Sequence, residues 1–139
     1  MTSSEHVPAS PVRQLRLVIT AEDYESVLAF YRDNLGLPEL ESFSDGAGAA
    51  GTILDAGRAT LEISNAAQVR LIDRVEANGK PSLKLRVALE VDDARAATVS
   101  AVDGGAQLVA EPRETPWRSL NSRLNAPDGL QLTLFEELN

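Results

Sequence analysis

Two stretches of the chain, LRLVITAED at 15–23 and LRVALEVDD at 85–93, resemble each other. In both, apolar residues alternate with polar ones, which is typical of a β-strand with one buried face. They match at the leading leucine, the arginine that follows it and the final aspartate, and each leads into a helix-like pattern. The chain therefore predicts an internal repeat that places an arginine at the same point of two strands.

The remaining pattern predicts the same order of elements in both halves. The first half begins with a strand over 12–20 and a helix that Asp23 caps, with a buried stripe at Val27, Phe30, Tyr31 and Leu35. The second begins with a strand over 83–91 and a helix from Asp92 to Val102. Three strands follow in each half: 39–44, 51–55 and 59–64 in the first, and 107–111, 117–125 and 130–135 in the second. A polar helical connector is predicted over 66–78.

This order predicts an α+β fold in which two βαβββ modules form one curved eight-stranded mixed sheet with a concave cup. One helix cannot cover four strands, so we expect the modules to lie side by side with their helices on the convex face. We expect one domain overall, divided into a flexible arm (1–11), a first module (12–65), a helical linker (66–82) and a second module (83–139). The alternation directs Arg16 and Arg86 into the cup. It directs the apolar residues of the same strands beneath the helices: Leu15, Leu17, Ile19, Leu85, Val87 and Leu89.

Composition narrows the class of protein without naming a function. The chain has no cysteine, 43% apolar residues and 24% charged residues, as an ordinary globular domain has. No apolar run approaches the roughly 20 residues of a membrane span and the first residues lack an apolar signal core, so we expect no membrane partner and a cytoplasmic location. The net charge of −8 argues against a nucleic-acid partner, favours solubility and mildly favours cationic ligands.

Several short motifs occur in an order and spacing that resemble the vicinal oxygen chelate superfamily, which includes glyoxalase I, extradiol dioxygenases and bleomycin-resistance proteins. The first motif is an aspartate followed by an FY pair and an LG pair (Asp23, Phe30, Tyr31, Leu35 and Gly36). The others are TLEI at 60–63, VDD at 91–93, and TPW followed by APDGLQLTLFE within 115–136. The resemblance covers nearly the whole chain and implies the same cup-shaped fold.

In the metalloenzymes of that superfamily, four positions in the cup hold the metal, and the resemblance maps them onto Arg16, Glu62, Arg86 and Thr133. Only Glu62 suits a divalent ion, because arginine stays protonated and two guanidinium charges repel one. The only histidine, His6, falls in the predicted arm. We therefore expect no metal and no other cofactor.

Glu62 lies on the polar face of its predicted strand, as alternation with Thr60 and Ser64 indicates. The hypothesis is that Glu62 bridges Arg16 and Arg86 through charge-assisted hydrogen bonds, in place of the metal. The alternative is that these are ordinary charges on a solvated face of the sheet. In either case, nearby positive charge is expected to favour the carboxylate and leave Glu62 a poor base.

Aromatic and polar residues near the second module predict a ligand-binding surface. If Leu120 and Leu124 face the core, then the cup receives Trp117, Ser119, Asn121 and Arg123. An aromatic plane beside guanidinium and amide groups suits a flat, polar organic ligand. The resemblance adds that resistance-type relatives hold drugs with an aromatic residue near this position, although Trp117 could equally plug the end of the sheet. Tyr24 and Phe43 are further candidates for the border of the crevice, or packing residues.

The sequence thus predicts a metal-free protein that binds a small molecule, and by family analogy one that sequesters an aromatic natural product or antibiotic as a homodimer. The alternative is an enzyme: a metal-independent isomerase, lyase or tailoring enzyme of a biosynthetic pathway, or a metalloenzyme that uses Glu62 with substrate oxygens. An accessory or regulatory subunit is a third possibility. No nucleophile–base pair or phosphate loop is recognisable, and GAGAAG at 46–51 joins two strands instead of opening a helix. The prediction therefore leans away from an enzyme.

Overall fold

The computed structural model describes residues 9–127 and 129–139, so His6 and most of the predicted arm lie outside the described residues. The strands are β1 (Val12–Thr20), β2 (Glu39–Ser44), β3 (Ala50–Asp55), β4 (Thr60–Ser64), β5 (Leu85–Val91), β6 (Gln107–Glu114), β7 (Ser119–Asn125) and β8 (Gln131–Glu137). The α-helices are α1 (Tyr24–Leu28), α2 (Ala66–Ala77) and α3 (Ala94–Asp103), and a π-helical segment spans Ala29–Asn34.

All eight strands form one mixed sheet in the order β2-β3-β4-β1-β5-β8-β7-β6. The repeated strands β1 and β5 are antiparallel neighbours at its centre. Each of them pairs in parallel with the last strand of its own half, β1 with β4 and β5 with β8. The predicted α+β class and eight-stranded mixed sheet are confirmed, and the sheet is continuous within a single chain.

The helix after β1 differs from its prediction beyond its first turn. Asp23 caps α1 as predicted, because its Oδ1 accepts a hydrogen bond from the backbone N–H of Ser26 at 3.3 Å. Beyond Leu28, however, the backbone becomes π-helical, with Leu35 N–H donating to the Phe30 carbonyl at 2.9 Å. This wider turn rotates side chains out of the predicted stripe. Val27 and Tyr31 pack against the core, whereas Phe30 and Leu35 are 50% and 55% exposed.

The convex face of the sheet is covered only in part. The helix α1 contacts β4, and α3 contacts β6, β7 and β8, so both helices lie over the outer strands. Leu15 and Leu85 on the central strands are 40% and 44% exposed, and the expectation that they lie beneath the helices is wrong. The cap of α3 also differs, because Asp93 accepts from Ala96 N–H at 3.0 Å, whereas Asp92 pairs with Arg13.

None of the helices within the described residues is long and apolar enough to span a membrane.

Candidate ligand-binding crevice

The predicted connector helix α2 lies across the concave face of the sheet, opposite α1 and α3. It contacts β6 and β7 of the second half and β3 and β4 of the first. Its buried face carries polar side chains among the apolar ones: Gln68, Ile72, Asp73, Glu76 and Ala77. The helix begins where Asn65 Oδ1 accepts from Gln68 N–H at 2.8 Å, and it ends at Asn78, whose backbone is left-handed with φ of 54°. The helix therefore roofs one part of the cup and leaves the rest open.

Under α2 lies what we call the inner cluster, formed by Arg123, Glu76 and Asp73. Arg123 is fully buried; its Nε donates to Glu76 Oε1 at 3.0 Å and its Nη1 to Asp73 Oδ1 at 2.8 Å. Its Nη2 lies 2.9 Å from Glu76 Oε1, as an ion pair without a directed hydrogen bond. Asn121 Nδ2 donates to Glu76 Oε2 at 2.8 Å, and Thr133 donates to Oε1. The carboxylate of Glu76 thus receives donors on both oxygens.

Beside the inner cluster the concave face forms an open crevice of about 380 Å³. Seven of the predicted site residues line it: Arg16, Phe43, Glu62, Arg86, Trp117, Asn121 and Thr133. Two do not. Arg123 belongs to the inner cluster beneath α2, and Tyr24 lies on the opposite face, where it packs against the core and its hydroxyl pairs with Thr52 Oγ1. The placement of Tyr24 at the crevice border is therefore wrong, because α1 carries it to the convex side.

The charged floor of the crevice is what we call the crevice cluster, formed by Arg16, Glu62 and Arg86. Glu62 Oε1 lies 3.9 Å from Arg16 Nη1, which is an ion pair without a hydrogen bond. Its hydrogen bond within the described residues comes from Ser64 Oγ at 3.4 Å. Arg86 donates from Nη1 to Thr133 Oγ1 at 2.8 Å and lies 3.8 Å from Glu76 Oε1. The hypothesis that Glu62 hydrogen-bonds both arginines is wrong, because Arg16 lies beyond hydrogen-bond distance and Arg86 donates to Thr133.

The ionisation of Glu62 also differs from expectation. Burial raises the pKa of Glu62 above its ordinary value of 4.5, and the neighbouring charges of Arg86 and Arg16 lower it by less. The expectation from the sequence was that nearby positive charge favours the carboxylate and leaves Glu62 a poor base. Removal from water outweighs that charge because neither guanidinium is close enough to hydrogen-bond the carboxyl.

Aromatic side chains form the walls of the crevice. Phe135 lies under the Arg16 guanidinium, with 5.1 Å between the guanidinium carbon and the ring centroid. Phe43 packs closely over β3, since a Cβ at Gly51 would come within 3.2 Å of its ring. Trp117 is 46% exposed and lies in the turn before β7, next to Arg118, whose φ of 66° is unusual for a residue other than glycine. The predicted strand over 117–125 therefore begins two residues later than expected, at Ser119.

The helix α2 lines the crevice, although its sequence predicted only a polar connector. Gln68, Leu71, Ile72 and Glu76 line the crevice, as does Phe135 on β8. The spacing of four between Gln68, Ile72 and Glu76 places them on one helical face, which was the available signal. Because two of these three are polar, that face resembled a solvated surface.

The residues at the four family metal positions do not suit a divalent cation. Arg16, Glu62, Arg86 and Thr133 do meet in one crevice, as the resemblance implied. Two of them are guanidinium groups, however, and the buried Arg86 Nε has a hydrogen to donate and no lone pair to offer. Within the described residues, no three His, Cys, Asp or Glu side chains are grouped as a metal site requires.

The mixed sheet, the concave crevice and the pairing of its two halves define the class of two-module βαβββ proteins with a concave cup. The chain belongs to the Glyoxalase/Bleomycin resistance protein/Dioxygenase superfamily, whose family model matches residues 13–134. No curated protein matches the chain significantly in sequence.

Solved structures of similar fold include enzymes and proteins without a stated activity. Methylmalonyl-CoA epimerase from Mycobacterium tuberculosis is 20% identical with a TM-score of 0.66, over 96% of this chain and 95% of that one. A superfamily member from Vibrio splendidus 12B01 is 12% identical with a TM-score of 0.62, over 89% and 98%. A hypothetical protein from Bacillus halodurans C-125 is 17% identical with a TM-score of 0.66, over 89% and 93%. Identities this low support the shared fold and leave the activity open.

Proposed function

We propose that this chain is a metal-free small-molecule-binding protein that sequesters an aromatic natural product, such as an antibiotic, in the crevice. The observation that carries the proposal is the half-exposed Trp117 at the opening of a crevice that also contains Phe43 and Phe135. Aromatic walls around a few buried polar groups are typical of sites for flat organic ligands. The volume of about 380 Å³ falls at the lower end of the usual range for such sites.

Binding without conversion agrees with the chemistry of the lining residues. The chain has no cysteine, and its only histidine, His6, lies outside the described residues. The described residues that line the crevice therefore offer no thiol nucleophile and no imidazole base. Sequestration requires affinity alone, which the aromatic walls and charged floor supply.

The proposal includes a homodimer, by analogy with resistance-type relatives, and a cytoplasmic location, as expected from the sequence. Sedimentation equilibrium of the purified protein tests the first, and fractionation of the source cells tests the second.

The test of binding uses the fluorescence of Trp117, the only tryptophan. The protein is titrated with a panel of polycyclic aromatic natural products, and each ligand is recovered for mass analysis. Saturable quenching with the ligand mass unchanged supports sequestration. Quenching with an altered ligand mass contradicts sequestration and supports an enzyme. If no member of the panel quenches Trp117, the sequestration proposal is refuted for this ligand class.

A metal-independent isomerase, lyase or tailoring enzyme is the second candidate, favoured by Glu62. A buried carboxyl whose pKa is raised is common among groups that transfer protons. If turnover is found, Glu62→Gln is expected to abolish it while ligand binding is retained. An equally active Glu62→Gln variant would exclude Glu62 as the proton-transferring group.

A further inference from the structure

Two polar groups on the floor of the crevice are buried without adequate partners. Arg86 is 6% exposed, and within the described residues its Nε has no hydrogen-bond acceptor. Glu62 is 7% exposed and receives one long hydrogen bond, from Ser64 at 3.4 Å. A buried donor or acceptor left without a partner destabilises the folded protein, so groups of this kind call for an explanation.

The register of the sheet places these two groups around one point. Val18 of β1 pairs with Glu62 of β4 on one side and with Arg86 of β5 on the other. All three side chains face the crevice, with Glu62 and Arg86 separated by two strand spacings, about 10 Å between backbones. Arg86 directs its Nη1 to Thr133 of β8 and toward Glu76, which leaves Nε as its unpartnered donor. The floor of the crevice on the two sides of Val18 therefore carries a donor from β5 and an acceptor from β4.

Other buried polar atoms do not form a comparable pair. Thr60 Oγ1 also lacks a hydrogen-bond partner within the described residues, but Thr60 does not line the crevice. Arg123 Nη2 is matched by the Glu76 carboxylate at 2.9 Å. The missing partners that a ligand could supply are thus those of Arg86 and Glu62.

We propose that the crevice selects flat aromatic ligands with a donor–acceptor edge, in which a carbonyl oxygen accepts from Arg86 Nε and an adjacent N–H or O–H donates to Glu62. Cyclic amides fused to aromatic rings have this edge, because their N–H and C=O lie side by side and cannot bond to each other. This inference rests on the proposed binding function and names the ligand class.

Ligands that offer only donors, only acceptors or neither leave at least one of the two groups without a partner. An ammonium group offers donors only, so Arg86 Nε stays without an acceptor and two guanidinium groups repel the cation. A carboxylate offers acceptors only and places a like charge against Glu62. An aromatic hydrocarbon fills the walls and matches neither group. A donor and an acceptor on adjacent atoms satisfy both.

The test compares three tricyclic probes of nearly equal shape by equilibrium dialysis against the wild-type protein. Phenanthridin-6(5H)-one carries both groups, its N-methyl derivative carries the carbonyl alone, and 5,6-dihydrophenanthridine carries the N–H alone. The lactam is expected to bind at least about tenfold more tightly than either partner-deficient probe, because each of these leaves one buried group unmatched.

Two variants test whether Glu62 and Arg86 cause the preference for the lactam. Glu62→Leu is expected to bind the lactam and its N-methyl derivative equally, and Arg86→Met to bind the lactam and the dihydro compound equally. Glu25→Leu, on the exposed face of α1, is the matched control and keeps the wild-type ranking. Should a variant fail to fold, the ranking of the three probes by the wild-type protein still decides the question.

The outcomes separate this inference from the proposed function. Affinities within threefold of one another overturn the donor–acceptor edge, while the binding itself supports the aromatic crevice. If none of the probes binds but the natural-product panel quenches Trp117, the inferred ligand class is wrong and the binding function stands. Failure of both probes and panel overturns both.

Discussion

Two arginine–carboxylate clusters lie side by side on the concave face, and they differ in how well their charges are matched. In the inner cluster, Arg123 meets Glu76 and Asp73 at 2.8 to 3.0 Å beneath α2. In the crevice cluster, Glu62 lies 3.9 Å from Arg16, and Arg86 keeps an unpartnered Nε. Both clusters combine arginine with carboxylates on the concave side of the sheet. The difference therefore comes from α2, which supplies two of the three inner residues.

This difference assigns the two clusters different roles. Buried charges that are fully paired are compatible with a stable fold, whereas unmatched ones cost stability and are most easily understood where a ligand completes them. Glu76 connects the two clusters, since it accepts a hydrogen bond from Arg123 Nε and its Oε1 lies 3.8 Å from Arg86 Nη1. The inner cluster therefore holds α2 on the sheet and positions one side of the crevice.

Removal of the Glu76 carboxylate is expected to have the largest effect on stability, because it breaks the well-paired inner cluster. Glu76→Ala leaves Arg123 buried without its main partner, so we expect the free energy of unfolding to fall by about 3–5 kcal/mol. Urea denaturation of the variant measures the loss, with the exposed Glu25→Ala as the control, expected within about 0.5 kcal/mol of the wild type.

A triple variant separates lost pairing from lost packing. Glu76→Met combined with Arg123→Met and Asp73→Asn removes all three charges of the inner cluster and should be more stable than Glu76→Ala alone, because the cluster then contains no unpaired charge. A loss below about 1 kcal/mol in Glu76→Ala contradicts the assignment of the inner cluster to stability.

Trp117 provides the next test, of ligand binding, because it lines the crevice and belongs to neither cluster. Trp117→Ala should weaken the binding of an aromatic ligand about tenfold, the equivalent of about 1.4 kcal/mol, through loss of a stacking surface. Phe30→Ala is a matched control, since Phe30 is a comparably exposed aromatic residue outside the crevice. Equilibrium dialysis measures both variants, and equal affinities would place the ligand away from Trp117.

The sequence predicted the crevice cluster better than the inner one for a physical reason. Along a strand, alternation decides which face a side chain takes, so Arg16, Glu62, Arg86 and Thr133 could be assigned to the cup from local pattern and resemblance. The fold could be predicted from the same alternation and from the repeated order of elements in the two halves. These features depend on near neighbours in sequence.

The inner cluster depends on contacts that no local pattern contains. Asp73 and Glu76 are charged, and a helix with such residues resembles a solvated connector. Their burial follows from Arg123, about 50 residues further along the chain, which neutralises them after folding. The π-helical segment was hidden in the same way, because residues 29–34 have an ordinary helical composition. Tyr24 was misplaced because, as the first residue of α1, it stays with that helix on the convex face, where its ring packs against the core and its hydroxyl pairs with Thr52.

The pH dependence of stability sharpens the contrast, because it isolates Glu62. Burial raises the pKa of Glu62 above 4.5, so the folded protein retains a proton that the unfolded chain releases as pH rises above that value. Stability from this group is therefore lost as pH rises from 4.5 through the raised pKa. Glu62→Gln cannot ionise and should gain stability relative to the wild type across that window.

The urea midpoints of the wild type and of Glu62→Gln are measured between pH 4.5 and about pH 7.5. Their difference gives the effect of Glu62 ionisation on stability, because every other group titrates in both proteins. A difference that does not change with pH contradicts the desolvation of Glu62. One that changes in the opposite direction would show that the arginines dominate the ionisation of Glu62.

Substitution of Glu137, at the edge of the crevice cluster, should have the smallest effect on the free energy of unfolding. Its Oε2 lies 4.0 Å from Arg16 Nη2, and its side chain is 45% exposed. Ion pairs of this length and exposure contribute little because water and salt screen them, so Glu137→Gln should change the free energy of unfolding by less than about 0.5 kcal/mol. Urea denaturation in low and high salt measures the change. A loss above 1 kcal/mol at low salt that disappears at high salt would instead show that Arg16 depends on Glu137, and that the crevice cluster is better paired than its distances indicate.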